Sequence, residues 1–234
     1  ISDVWPSGAE FATEKAHEAR AILDRHGITA SALTAANDFV QLDAKAIAEQ
    51  VDRMQQVAQL AGIVGTSVLR TEGGQPKDAV PEEKYAEAIA GCLKACVPFC
   101  EDMGVKLAVD NHGVVSNNPA VLLPALEAVS SPCIGSNLDT MNLRWWGNAV
   151  ADLPKIYHDL APYVLHTHMK DGSGVRGEYQ GAALGQGEIP LQVAVDELVA
   201  VGYKGAWTAE WEGKGDKGEG YQACLAWLKA NCPA

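Results

Sequence analysis

The feature that most limits how this chain can fold is a repeated alternation of two patterns. Short apolar runs that read as strands occupy residues 28–35, 64–70, 105–110, 133–138, 163–169 and 206–211. Between them lie segments with helical spacing of apolar residues: 9–26, 43–61, 81–103, 119–129, 149–160, 190–201 and a closing 220–231. Gly27 and Gly62 end two of these helices, and Pro190 opens another at a favourable first-turn position. Strands recur about every 30–40 residues, which leaves room for the crossover helix that parallel strands require.

Polar residues collect at one place in this pattern. Arg70, Asp110, Asn111, Asp139, His168 and Glu210 each sit at or just past the end of a strand. In parallel α/β folds that edge is where ligands bind. A doubly wound sheet is the rival fold, but no G-x-G-x-x-G turn follows a strand, and polar exits follow many successive strands. The expectation is a (β/α)8 TIM barrel forming a single domain over residues 1–234. Six strands fall short of eight, and Ile1-Ser2-Asp3-Val4-Trp5 reads as the tail of another strand. The first βα unit and part of the second strand, roughly 35–40 residues, are expected to be missing, since the fold usually needs about 250 residues.

Composition narrows the function classes. A net charge of −12 with no Lys/Arg stripe suits neither a phosphate backbone nor an anionic membrane. No apolar run approaches the roughly 18 residues a spanning helix needs. Cys92, Cys96 and Cys100 recur every four residues, so a helix places them on one face. No further clustered cysteine completes a metal pattern, and a packing stripe against a sheet is expected. The compartment is read as reducing and cytoplasmic, and self-association into a homo-oligomer is left open.

Five segments carry chemistry. LAVDNHG puts Asp110, Asn111 and His112 at a strand end, and IGSNLDTMN puts Asp139 after the next strand. In HTHMKDG, His166 and His168 share one strand face, followed by Lys170 and Asp171. AEWEG puts Glu210 and Glu212 on one face, an arrangement that is costly to bury without a cation. LGQGEIP brings Gly185 and Gly187 before the last βα helix, where an ordinary loop and a loop approaching the pocket are both open readings. Asp110, Asp139, His168 and Glu210 together would form an oxygen-rich site with one nitrogen ligand. Such a set suits Mn²⁺ or Mg²⁺, with Co²⁺, Zn²⁺ and Fe²⁺ also open.

Through VKLAVDNHG, IGSNLDTMN, HTHMKDG, LGQGEIP and WTAEWEG, in this order and spacing, nearly the whole chain resembles the xylose isomerase-like barrel superfamily, in particular its sugar phosphate isomerase/epimerase branch. The resemblance implies an eight-stranded barrel with a divalent metal, and carries the ligand roles onto Asp110, Asp139, His168 and Glu210 after the fifth to eighth strands. Where the family usually has glutamate, this chain has Asp110, one methylene shorter. The resemblance further implies isomerisation or epimerisation of a keto sugar or related polyol through an enediolate, with Glu210 and Asp110 as the acid/base pair. Substrate contacts are then expected from His112, Asn142, His166, Lys170, Trp146 and Glu212, with Arg70 facing an anionic group or forming a salt bridge. The alternatives are a metal-dependent dehydratase of a keto-polyol or related acid, and a non-catalytic barrel acting as a binding subunit. An abasic-site DNA endonuclease is disfavoured by the −12 charge and six histidines.

Overall fold

The computed structural model describes residues 1–233. In chain order the elements are α1 (Glu14–His26), β1 (Leu33–Thr34), α2 (Ala44–Val64), β2 (Val68–Glu72), α3 (Tyr85–Met103), β3 (Lys106–Asp110), α4 (Pro119–Val129), β4 (Ile134–Asp139), α5 (Asn142–Trp146), α6 (Leu153–Leu160), β5 (Val164–His168), β6 (Asp171–Ser173), β7 (Gln180–Ala182), α7 (Leu191–Ala200) and α8 (Lys217–Asn231). One five-stranded sheet runs in sequence order, β1-β2-β3-β4-β5, and β6 pairs with β7 separately. The pattern is an incomplete (β/α)8 fold with five strands in its parallel sheet.

The chain divides into two compact units. The first comprises residues 1–109 and 124–135. There α2 packs against both α1 and α3. Asp43 fixes the start of α2 by accepting the backbone N–H groups of Lys45 and Ala46, both at 3.0 Å, which satisfies donors that a helix start leaves unpaired. Met54, Leu60, Leu69, Ile89, Leu93 and Leu107 are wholly buried and form its core. Cys92, Cys96 and Cys100 are buried on α3, and burial pushes the first two thiols up to about 12 and the third up as well. They therefore pack as small neutral side chains. The helix runs on through Pro98.

The second unit comprises residues 110–123 and 136–234. All six residues of β4 are buried, polar ones included. β4 pairs in parallel with β5, bringing Asn137 opposite His166 and Asp139 opposite His168 after a register shift between Ser136 and Asn137. This register places two expected ligands side by side.

The structure departs from the sequence expectation at several elements: the strand expected at 28–35 is only Leu33–Thr34, residues 1–5 form no strand, and α2 runs past Gly62 to Val64, where Gly65 caps it. Residues 206–211 form no strand ladder, only a single parallel bridge between Met169 and Ala209. Met169 N donates to Thr208 O at 2.7 Å and Glu210 N to Met169 O at 2.9 Å. Side-chain hydroxyls take the groups a longer ladder would use: Thr167 Oγ1 and Tyr203 Oη both donate to Ala206 O at 2.9 Å. The short helix α5 begins where Asp139 accepts backbone N–H groups, and the antiparallel β6–β7 hairpin follows Lys170; neither has an apolar period to announce it.

Candidate metal centre

The second unit holds the residues that the sequence places at the last strand exits. Asp139 ends β4 and is wholly buried. Its Oδ1 accepts from Met141 N at 2.9 Å and Asn142 N at 2.8 Å, opening α5. Its Oδ2 is buried and has no hydrogen-bond partner among the described residues. His168, its register partner, turns Nδ1 to within 2.9 Å of Glu210 Oε2, yet that nitrogen also lacks a partner in hydrogen-bond geometry. Asp139, His168 and Glu210 offer ligand atoms that all lie within 4.8 Å of one another. Leaving buried polar atoms unpaired is costly unless something else binds them. Two buried atoms that make ion-pair contacts but no hydrogen bond among the described residues, converging with a carboxylate, fit a divalent cation, and one nitrogen with carboxylate oxygens is a chemically suitable donor set.

The electrostatics agree with that fit. Burial pushes the Asp139 carboxyl up to about 7, with Lys170 opposing and Asp110 and Glu210 adding to the rise. Burial also works against the ionised Glu210, but the His168 imidazole 2.9 Å away and the charge of Lys170 outweigh it and hold the group down to about 2. For His168, burial disfavours the imidazolium, while Glu210, Asp110 and Asp139 more than offset this and raise its pKa. A cation bound here would favour the charged carboxylates and the neutral imidazole together.

Lys170 lies beside this group, 5% exposed. Its Nζ stands 2.7 Å from Glu212 Oε2, 3.5 Å from Glu210 Oε1 and 3.9 Å from Asp139 Oδ2. Burial disfavours its charge, but these carboxylates prevail and raise its pKa. Asn142 is buried, donates to Asn111 O at 3.1 Å and accepts from Lys170 Nζ at 3.4 Å. Asn111 itself clamps the ends of β3 and β4, donating to Asp139 O and accepting from Asp139 N, both at 2.9 Å.

Asp110 is wholly buried at the end of β3 but is not in the converging group. Its Oδ1 accepts from Asn137 Nδ2. Because a carboxylate oxygen accepts, Asn137 turns its amide oxygen the other way, where His166 Nδ1 meets it at 2.7 Å. His166 Nε2 lies 3.3 Å from Thr208 Oγ1. His166 is thus tied into a buried polar row. Of the other expected contacts, His112 is exposed, Trp146 lies on α5 and donates from Nε1 to Val114 O at 3.1 Å, and Glu212 pairs with Lys170. Arg70 lies in the first unit, where Nη1 is 3.2 Å from Glu72 Oε1.

The sequence reading missed Asn137, Tyr179 and Thr208. Asn137 precedes Asp139 by two on the same strand, so period-two spacing marks it as facing the same way. Tyr179, just before β7, places its ring centroid 5.9 Å from Lys170 Nζ, and its buried hydroxyl has no hydrogen-bond partner among the described residues. Nothing in its local pattern signals that position.

LGQGEIP proves to be a fixed loop. Asp171 Oδ2 accepts from Gly185 N at 2.8 Å and Gly187 N at 3.0 Å, while Oδ1 accepts from Gly172 N at 2.8 Å and Ile189 N at 3.3 Å. Glu188 bonds Arg144 Nε at 2.7 Å and Gly174 N at 3.0 Å. The loop and the β6–β7 hairpin are thereby held next to Lys170.

Residues 3–231 match the family model described as xylose isomerase-like TIM barrel. The chain belongs to that family. Among solved structures, it is similar to a D-tagatose 3-epimerase-like protein, with 16% identity, TM-score 0.74, and 94% of this chain and 84% of that one covered. It is similar to the IOLI protein with a binding zinc atom, at 17% identity and TM-score 0.73, over 92% of this chain and 80% of that one. A third similar structure is a xylose isomerase-like TIM barrel protein from Mycobacterium smegmatis in complex with magnesium, at 16% identity and TM-score 0.73, over 96% and 79% of the two chains. No curated protein matches significantly. Among the described residues no helix is long and apolar enough to cross a membrane.

Proposed function

We propose that this chain is a divalent-metal-dependent isomerase or epimerase of a keto sugar or related polyol. The observation that carries the reading is the convergence of Asp139 Oδ2 and His168 Nδ1, neither of them hydrogen-bonded to another described residue, with Glu210 inside 4.8 Å. Asp139, His168 and Glu210 would hold the ion. When bound, it would supply positive charge to offset the negative charge that develops on substrate oxygens as a neighbouring proton leaves. The oxygen-rich donor set favours Mn²⁺ or Mg²⁺, although one relative holds zinc and another magnesium.

The residues supply the rest. Glu210 stays ionised across the neutral range, so an oxygen of its carboxylate can take the proton beside the carbonyl. Asp110 is the second carboxylate, suited to returning a proton at another carbon or face. Lys170, charged and fixed by Glu212, can hold a substrate oxygen. Glu212, Asn142, His166, His112, Trp146 and Tyr179 extend the surface for hydroxyl groups, and Arg70 remains a candidate for an anionic group. The similarity to a D-tagatose 3-epimerase-like protein supports this class of substrate. The −12 charge supports a small molecule over nucleic acid, and six unpaired cysteines support a reducing, cytoplasmic setting.

The test is product analysis with a panel of keto sugars and keto-polyols after loading with Mn²⁺ or Mg²⁺. An isomer or epimer is the expected product. A dehydrated product selects lyase chemistry, and no turnover with metal bound selects a binding role.

A further inference from the structure

We infer that this chain holds its metal with three protein ligands, Asp139, His168 and Glu210, and that Asp110 stays off the ion because Asn137 holds its carboxylate. The inference rests on reading the site as a metal centre, and goes beyond it by removing one of the four ligands that the resemblance implies.

Two observations point the same way. Among the described residues, Asp139, His168 and Glu210 are the group that converges within 4.8 Å, and Asp110 is not part of it. An aspartate also reaches one methylene less far than the glutamate expected there. The second observation explains why the side chain does not compensate by moving. Asp110 Oδ1 accepts from Asn137 Nδ2, Asn137 Oδ1 meets His166 Nδ1 at 2.7 Å, and His166 Nε2 lies 3.3 Å from Thr208 Oγ1. Asn137 and His166 are register partners on β4 and β5, and both are buried. To bring the Asp110 carboxylate inward, this row would have to give up a charge-assisted hydrogen bond in a buried setting, which is costly. Asp110 still acts through its charge, which is felt at both Asp139 and His168. It is therefore a buried carboxylate beside the three ligands and held away from them by Asn137.

Cobalt(II) is the probe, because its visible absorption bands report the number and type of its ligands. Titrations with CoCl₂ are run on the wild type, Asp110→Asn, Asp110→Glu and Asp139→Asn. The Asp110→Asn variant is expected to keep the wild-type band positions and intensities. Asp139→Asn is expected to lose or change them. Asp110→Glu, with its longer reach, is expected to alter them by adding a ligand. If Asp110→Asn shifts the bands as Asp139→Asn does, or if Asp110→Glu leaves them unchanged, the inference is overturned while the metal reading stands. If the wild type gives no bound-cobalt spectrum at all, the metal reading itself fails. Circular dichroism on each variant separates a lost ligand from a lost fold.

Discussion

Asp139 concentrates the chemistry of the site in one side chain. One oxygen opens α5 and the other is left buried without a hydrogen bond. Such division of a carboxylate fixes its direction before any ion arrives, which is how a metal site avoids spending binding energy on ordering its ligands. It also makes binding depend on pH. Burial raises Asp139 to about 7, and the neighbouring carboxylates raise His168. Both must lose a proton to act as ligands, so lowering the pH adds protons that the ion must displace. Mn²⁺ affinity should fall as the pH drops below about 7, by up to about tenfold per unit for each proton displaced. Calorimetry in buffers of different ionisation enthalpy should show the released protons. A pH-independent affinity across that range would mean that Asp139 is not a ligand. Glu210 behaves oppositely: held down to about 2, its favourable interactions persist above the ordinary carboxylate range and vanish only as the pH falls through about 2.

At the scale of elements, the loop and hairpin after β5 support the site. Four backbone N–H groups converge on the Asp171 carboxylate, and the approach depends on a missing side chain. A Cβ on Gly187 would lie 2.1 Å from Asp171 Oδ1 and 2.5 Å from the backbone of Gly172. Gly187→Ala should therefore destabilise the protein by about 1–3 kcal/mol, in the range of a lost buried hydrogen bond to a charged group. Limited proteolysis should show earlier cleavage within residues 171–189, and an unchanged melting curve and cleavage pattern would contradict this account. These elements also mark where sequence reading reaches its limit. The longer helices and β2 to β5 were legible because their apolar residues recur with a helix or strand period. The β6–β7 hairpin and α5 were not, because they are set by Asp171, Glu188 and Asp139 side chains that bond distant or local backbone. The stretch ending in Glu210 reads as a strand by composition, but Thr167 and Tyr203 hydroxyls take over part of its pairing.

At the scale of the whole chain, the candidate ligands converge across long stretches of sequence. Residues 139, 168 and 210 lie far apart in sequence, and only the parallel register and the bridge at Met169 bring them together. The strand-end positions of Asp139 and His168 could be read from the alternation of strands and helices, as could the family, which residues 3–231 match. The separation of Asp110 from the converging three could not, because it depends on the row through Asn137 and His166. The chain is acidic at −12, and in the proposed reaction Lys170 and the proposed ion would supply positive charge to the substrate oxygens. The central claim is that this ion and Glu210 act together to remove a proton beside a carbonyl. Its most direct measurement is solvent deuterium incorporation into a keto sugar that the enzyme turns over, followed by NMR. The comparison is between metal-stripped wild type, the same protein reloaded with Mn²⁺, and reloaded Glu210→Gln. Exchange is expected only in the reloaded wild type, with a loss of about 100-fold or more in the variant. Exchange that persists in the stripped protein, or at the wild-type rate in Glu210→Gln, would contradict it.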